Sequence, residues 1–266
     1  MDFRKWIDKY STDCRMKYNS SATQSNYISC VKLFLQRFNE FREPKEIPTD
    51  HIKVWLLEAK TINTRKHRIC AIKSFYQLTV GMPNKINKIP YPKSDKKLPM
   101  VIEADFLKES IFKIENLKHQ AIIMLGYSCS LRVSEVVNLK IEDIESKRML
   151  INIRNAKGRK DRIVVLSPVL LSTLRKYYLS YKPKVYLFNG QFDLQYSSTS
   201  CNAIVKKYLG NTYHFHTLRH SGATTMFESG VDLSIIQKLL GHSNIKTTMT
   251  YTHISTNLLN KVPMPI

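Results

Sequence analysis

Between His214 and Tyr251 the chain gathers side chains able to do chemistry on a phosphate ester. It reads His214-Phe-His216-Thr-Leu-Arg219-His220, then an apolar helical pattern, then Leu240-Gly241-His242, then a threonine-rich run ending at Tyr251. A phenol hydroxyl is a weak nucleophile at its ordinary pKa and needs an electrophile that carries charge well. A phosphodiester meets that need. The planar fork of an arginine holds two of its non-bridging oxygens at once. Imidazoles can donate to the same oxygens or handle the phenol proton.

These residues must be held by helix ends. If the segment is helical, His216 and Arg219 lie on one side of a turn. Ser229-Gly230 is a helix stop. Asp232 can cap a second helix with Leu233, Ile236, Leu239 and Leu240 as its apolar positions, and Gly241 supplies the left-handed residue that ends it. The run Thr247-Thr248-Met249-Thr250 has poor helix propensity, so a loosely held segment is expected before Tyr251. Upstream, an apolar helical run from His119 to Tyr127 leads into Arg132, with Glu135 one turn on and placed to orient it. Residues 148–154 and 162–166 read as strands of a hairpin whose turn contains Gly158. That turn carries Lys157, Arg159, Lys160 and Arg162, which can grip phosphate. A lysine beside the scissile group can also protonate a departing 5′ oxygen, and local grounds leave Lys157 and Lys160 both open. Helices are expected from Ala104-Asp105, over 169–178 and over 199–209.

Two other readings of the same residues exist. His214, His216 and His220 can be taken as metal ligands, but no Cys or carboxylate stands beside them at ligand spacing. Residues 226–240 also have the pattern of a helix-turn-helix DNA reader, a binding-only protein. That reading leaves Tyr251, Arg132 and the hairpin lysine without a role.

Composition points to the partner. Lys and Arg number 42 against 21 Asp and Glu, a net charge of +21. The first 98 residues hold 20 basic and 9 acidic side chains, so both parts of the chain are basic. Such an excess implies a polyanion, nucleic acid first. No long apolar run or amphipathic anchor suggests a membrane. Five cysteines scattered singly suit a reducing cytosol, and Met1-Asp2-Phe3-Arg4-Lys5-Trp6 lacks the apolar core of a signal peptide, so a cytoplasmic protein is expected.

Residues 1–81 read as a helical domain. Ser21 can cap a helix with Tyr27, Ile28, Val31, Leu35 and Phe38 on one stripe. Thr49 and Asn63 can cap two more, the last with Ile69, Ile72 and Phe75 inward, Arg65, Lys66, Arg68 and Lys73 outward, and Gly81 as its stop. The basic face is a candidate DNA contact. Residues 82–100 hold prolines 83, 90, 92 and 99 and lysines 85, 88, 93, 96 and 97, and are expected to be an extended linker. Residues 101–255 form the second domain, mixed α and β, followed by a short tail, 256–266, with apolar Leu258, Leu259 and Val262.

The strings His216-Thr-Leu-Arg219-His220-Ser221, Leu239-Leu240-Gly241-His242-Ser243 and Thr250-Tyr251-Thr252-His253 resemble the second box of the tyrosine recombinases, in the Xer-type and phage-integrase branch. Ser130-Leu131-Arg132-Val133-Ser134-Glu135-Val136 resembles the first box, and Ala156-Lys157-Gly158-Arg159-Lys160-Asp161-Arg162 matches the family's hairpin lysine at Lys157. The likeness covers roughly residues 100–255 with the motifs in order, and more loosely the N-terminal part. It implies a mainly α fold with a small β-sheet: a helical core-binding domain that clamps one side of the duplex, and a mixed catalytic domain. It implies Tyr251 as nucleophile, Arg132, Arg219 and His242 on the phosphate, His216 on the tyrosine proton or an oxygen, Lys157 as general acid, and neither metal nor ATP. It also implies double-stranded DNA with specific recombination sites as partner, and a tetramer joined by exchange of the C-terminal tail. A type IB topoisomerase would use similar chemistry on one duplex.

Overall fold

The computed structural model describes residues 2–93, 98–154, 161–190 and 195–253. The chain divides into two compact units, residues 1–96 and 97–266. Both are mainly helical, and the second holds a small antiparallel sheet.

The first unit comprises α1 (Phe3–Lys17), α2 (Ser21–Arg37), α3 (Thr49–Leu57), α4 (Ile62–Phe75) with a π-helical extension over Tyr76–Val80, and α5 (Asn84–Asn87). Its core forms around Tyr10, Val31, Phe34, Leu35, Ile52, Ile72, Phe75 and Tyr76. Three caps fall earlier than the sequence suggests, and before α3 it is Pro48, whose side chain cannot cap, rather than Thr49. Ser20, not Ser21, accepts from the Thr23 amide, and Thr61, not Asn63, accepts from the Thr64 amide. Gly81 ends the run with φ +78°, the left-handed stop expected of it. Residues 84–87, inside the stretch expected to be extended, form α5 instead. Ile86 and Ile89 are buried in this core, and Pro83 sits just before the helix, where a missing N–H costs nothing.

The second unit comprises α6 (Ala104–Phe112), α7 (Leu117–Ser128), α8 (Val133–Asn138), β1 (Ile144–Glu145), β2 (Leu150–Ile153), β3 (Arg162–Val165), α9 (Pro168–Tyr181), α10 (Ser198–Leu209), α11 (Phe215–Glu228), α12 (Leu233–Leu240), α13 (Ile245–Thr248) and a closing 3₁₀ turn, Met249–His253. The strands lie in the order β1-β2-β3, with Ile151 opposite Val164 and Ile153 opposite Arg162. Helix α7 is the axis. Ala121 to Gly126 are all buried, as expected of a helix that is apolar on every side.

Helices α7 and α11 approach closely because each presents a glycine. A Cβ on Gly126 would lie 2.8 Å from the Phe215 ring and 2.9 Å from the Leu218 side chain, and one on Gly222 would overlap the Tyr127 carbonyl oxygen and meet Ser130 Oγ at 2.5 Å. The backbone then turns through Ser130 at φ +49°. That conformation costs an L-residue about 1–2 kcal/mol, and it aims the Ser130 carbonyl at the Arg219 guanidinium, 2.7 Å away. Ser130→Gly therefore raises the unfolding free energy by about 0.5–1 kcal/mol after the added freedom of the unfolded glycine is subtracted. Gly222→Ala lowers it by about 3 kcal/mol, since helix and turn must separate. Urea titrations of the two variants check both signs. A destabilised Ser130→Gly protein would mean that the hydroxyl matters more than the backbone strain.

Candidate active site

The site grows from the junction of α7, α8 and α11 with β3 and the end of α12. Arg132 is the residue before α8. Its backbone N–H donates to Glu135 Oε2 at 2.8 Å and its Nη1 to Oε1 at 2.9 Å, so the carboxylate one turn on holds both ends of the residue. Glu135 is buried, with a side chain 5% exposed. Arg162, from β3, forks onto the same carboxylate through Nη1 and Nη2, each at 2.7 Å. Desolvation pushes the Glu135 carboxyl up, but hydrogen bonds and charge from Arg162, then Arg132, outweigh it and hold the group at about 2.

Arg219 rises from α11 into the same space, its side chain 1% exposed. It is fastened by carbonyls. Nη1 donates to Ser130 O at 2.7 Å and Nη2 to Leu240 O at 2.6 Å. The second oxygen is one of the unpaired carbonyls at the C-terminus of α12, a natural place for a cation. Burial pulls the guanidinium down to about 10, with repulsion from Arg132 adding to the effect, so it stays charged at neutral pH.

Gly241 ends α12 with φ +63°, and the chain turns to present His242. Arg219 Nη2 lies 3.2 Å from His242 Nε2, and His242 Nδ1 lies 3.0 Å from Thr248 Oγ1. A guanidinium only donates, so Nε2 accepts and the proton of neutral His242 sits on Nδ1, bonded to Thr248. Burial lowers His242 to about 4, helped by the charges of Arg219 and Arg132.

Tyr251 is 2% exposed and packs with Ala223, Ile236 and Leu240. This differs from the loosely held segment expected of its threonines. Residues 245–253 form α13 and a 3₁₀ turn, and the phenol ring fills a small core of its own, which outweighs weak local propensity. Its hydroxyl is 3.2 Å from Nδ1 of His220, not of His216. His216 stands behind, its ring 4.4 Å from that of His220 in an edge-on contact. Burial raises the Tyr251 phenol, with Arg219 and Arg132 pulling partly back, and burial lowers His220 to about 4.

Arg132, Glu135, Arg219, His242 and Tyr251 thus meet in one place. His220 and Arg162 belong with them. The sequence carried a signal for His220, four residues and one helical turn after His216. Arg162, which its place in the basic hairpin offers as a phosphate grip, is instead turned inward. Lys157, Arg159 and Lys160, with the tail residues Leu258, Leu259 and Val262, lie outside the described residues. In the first unit Arg68 stacks on Trp55 at 4.3 Å and donates to its carbonyl at 2.6 Å. Lys73 lies 4.5 Å from the Tyr91 ring centre, and Arg65 Nε is buried with no hydrogen-bond partner among the described residues. Lys66 is half-buried on the same helix.

Residues 104–257 match the phage integrase family model, and residues 6–86 match the phage integrase N-terminal SAM-like domain. The tyrosine recombinase XerD of Rickettsia bellii is 35% identical over 283 residues, covering 90% of this chain and 92% of that protein. The tyrosine recombinase XerA of Pyrococcus horikoshii is 38% identical over 200 residues, covering 73% and 70%. A lambda integrase dimer bound to a COC′ core site shares the fold, with a TM-score of 0.74 at 17% identity over 93% of this chain and 94% of that one. The chain belongs to the phage integrase family and is a tyrosine site-specific recombinase, an enzyme of DNA strand breakage and rejoining. Among the described residues no helix is long and apolar enough to cross a membrane.

The buried imidazoles make the fold acid-sensitive. Folded His220 and His242 titrate at about 4 against an ordinary 6.5. Between those values the unfolded chain binds more protons, so unfolding free energy falls as pH drops from about 6.5 toward 4. Glu135 adds a second loss from about 4.5 down to about 2. Denaturant midpoints measured from pH 7.5 to 4.5 should decline steadily, and His220→Gln should flatten part of the slope. A midpoint constant over that range would show that these imidazoles are not buried in the neutral form.

Proposed function

We propose that this recombinase cuts and rejoins DNA through a 3′-phosphotyrosyl bond made by Tyr251. The observation that carries the reading is the convergence of two guanidiniums, an imidazole and a phenol on one point, with guanidinium donors to spare. Of the five N–H donors of an arginine, Arg219 uses three and Arg132 uses one of its own on the described residues, which leaves two and four toward a ligand there.

Attack by the Tyr251 oxygen forms a phosphorus–oxygen bond and breaks the bond to the 5′ oxygen. The phenol proton passes to an imidazole. His220 holds the hydroxyl and His216 is next in line. A phosphodiester anion among these rings favours their charged forms, which raises their basicity above that of the DNA-free site. It also converts His242 from an acceptor at Nε2 into a donor to the phosphate. Arg132 and Arg219 bind the non-bridging oxygens. Lys157 protonates the departing 5′ oxygen, and Arg159 and Lys160 contact the backbone beside it. Resealing is the same step reversed. The covalent link conserves the bond energy, so ATP is not needed, and the fixed cations supply the charge stabilisation that a metal would otherwise provide.

The partner is double-stranded DNA with specific sites, gripped in part by Arg65, Lys66 and Lys73 on α4, while Arg68 is turned onto Trp55. The working assembly is a tetramer on paired sites, joined through residues 256–266, in the cytoplasm. The matched lambda integrase, a dimer on a core site, supports an oligomer on DNA.

The identifying experiment is recovery and sequencing of DNA covalently trapped on the protein in its own host. On a nicked duplex of that sequence, Tyr251→Phe should bind normally and yield no adduct on a denaturing gel. Adduct from the phenylalanine variant would place the nucleophile elsewhere. Lys157→Ala should slow cleavage of the normal duplex at least 100-fold more than cleavage of one with a 5′-bridging sulfur, whose leaving group needs no proton; general acid catalysis contributes about 10²–10⁴-fold. Equal losses on both substrates would remove the general-acid role.

A further inference from the structure

Arg162 is the third guanidinium at this site, and nothing in the proposed chemistry uses it. Its side chain is 8% exposed. All three of its guanidinium nitrogens are engaged inside the protein: Nη1 and Nη2 on Glu135, and Nε on the Leu239 carbonyl at 2.7 Å. Its aliphatic stem lies against the turn that follows, where a Cβ on Gly241 would come within 3.1 Å of Arg162 Cδ.

The carboxylate it grips is fully subscribed. An ionised carboxylate offers about four lone-pair sites. Glu135 accepts from the Arg132 backbone, from Arg132 Nη1 and twice from Arg162, which fills them. Arg219 Nη1 stands 3.9 Å from Glu135 Oε2, within range of attraction but without a lone pair to bond. It bonds Ser130 O instead. Without Arg162, two lone pairs open beside the two remaining guanidiniums. Arg132 and Arg219 would turn inward to fill them, away from a bound ligand. The C-terminus of α12 would lose one of its two guanidinium caps as well, because Arg162 holds Leu239 O while Arg219 holds Leu240 O. The turn carrying His242 follows directly.

We infer that Arg162 is a positioning residue for strand cleavage: its fork saturates Glu135 and pins the end of α12, which leaves the donors of Arg132 and Arg219 and the ring of His242 aimed at the scissile phosphate. The inference rests on the reading of those three as the phosphate-binding set. It excludes Arg162 itself from contact with DNA, against the expectation from its place in a basic hairpin.

The test uses the full-length protein, wild type and the variants Arg162→Lys and Arg162→Gln, on the nicked duplex recovered by trapping. Lysine keeps the charge facing Glu135 but cannot fork, so it covers the case in which the glutamine variant fails to fold. Three quantities are measured: half-site affinity, its dependence on salt, and the single-turnover rate of covalent adduct formation. Affinity should stay within about tenfold of wild type, since Arg162 itself touches no phosphate, and any fall in the salt slope should come together with slowed cleavage, because the contacts weakened are those of Arg132 and Arg219 with the scissile phosphate. Adduct formation should slow by roughly 100-fold in both variants, the size expected when reacting groups are misplaced by about 1 Å. A lysine variant as fast as wild type would overturn the inference, since charge alone would then suffice. So would a salt slope reduced by about one with cleavage unchanged once DNA is saturating, the signature of a phosphate contact. A wild-type protein that forms no adduct on trapped DNA would overturn the underlying recombinase chemistry, and this inference with it.

Discussion

The catalytic unit is organised by one buried carboxylate. Glu135 faces three guanidiniums from three parts of the chain: Arg132 beside it, Arg162 from β3 and Arg219 from α11. A lone carboxylate at that depth would be neutralised by protonation, and three clustered arginines would repel one another. Together they make a site that is charged, ordered and still net positive by two. Removing one partner of such a buried pair commonly costs about 3–5 kcal/mol, because the charge left behind has no water to turn to. The excess charge that remains is what an incoming phosphodiester would neutralise.

The carbonyl groups finish what the carboxylate begins. Arg219 and Arg162 each bond one of the last two carbonyls of α12, and Arg219 bonds Ser130 across the site. The strained backbone at Ser130 and the glycines that let α7 and α11 close together therefore serve the same end. They bring a carbonyl and a guanidinium from opposite helices within hydrogen-bonding distance. The framework is fixed before any ligand arrives, which is how preorganised charge lowers a barrier without reorganisation at the moment of reaction.

The proposed nucleophile is held differently. Tyr251 is buried in a small apolar cluster separate from the main core, and its hydroxyl is held by a neutral imidazole. His220 at about 4 is far too weak a base to take the proton of a phenol raised by burial. In the DNA-free site the bond between them is a resting contact. On the proposed reading, the negative charge of a bound phosphate raises the basicity of the imidazole, so substrate binding and uptake of the phenol proton are linked by electrostatics.

The sequence by itself determined the mainly helical class, the strands flanking the hairpin, the helix stops at Ser229-Gly230 and Gly241, and the family. These depend on local rules: periodicity, capping and left-handed turns, each acting within a few residues. It also singled out Arg132, Glu135, Arg219, His242 and Tyr251 as residue types suited to one chemistry. Only the tertiary structure decided which imidazole meets Tyr251. His216 and His220 lie on the same helical face, and the choice depends on how residues 245–253 fold back onto α11. Only the tertiary structure turned Arg162 inward, because strand alternation does not say that a buried carboxylate waits 27 residues earlier in the chain. It also turned Arg68 onto Trp55 and folded residues 84–87 into the first unit's core. Each of these outcomes is set by a partner distant in sequence, where burial and charge outweigh local propensity.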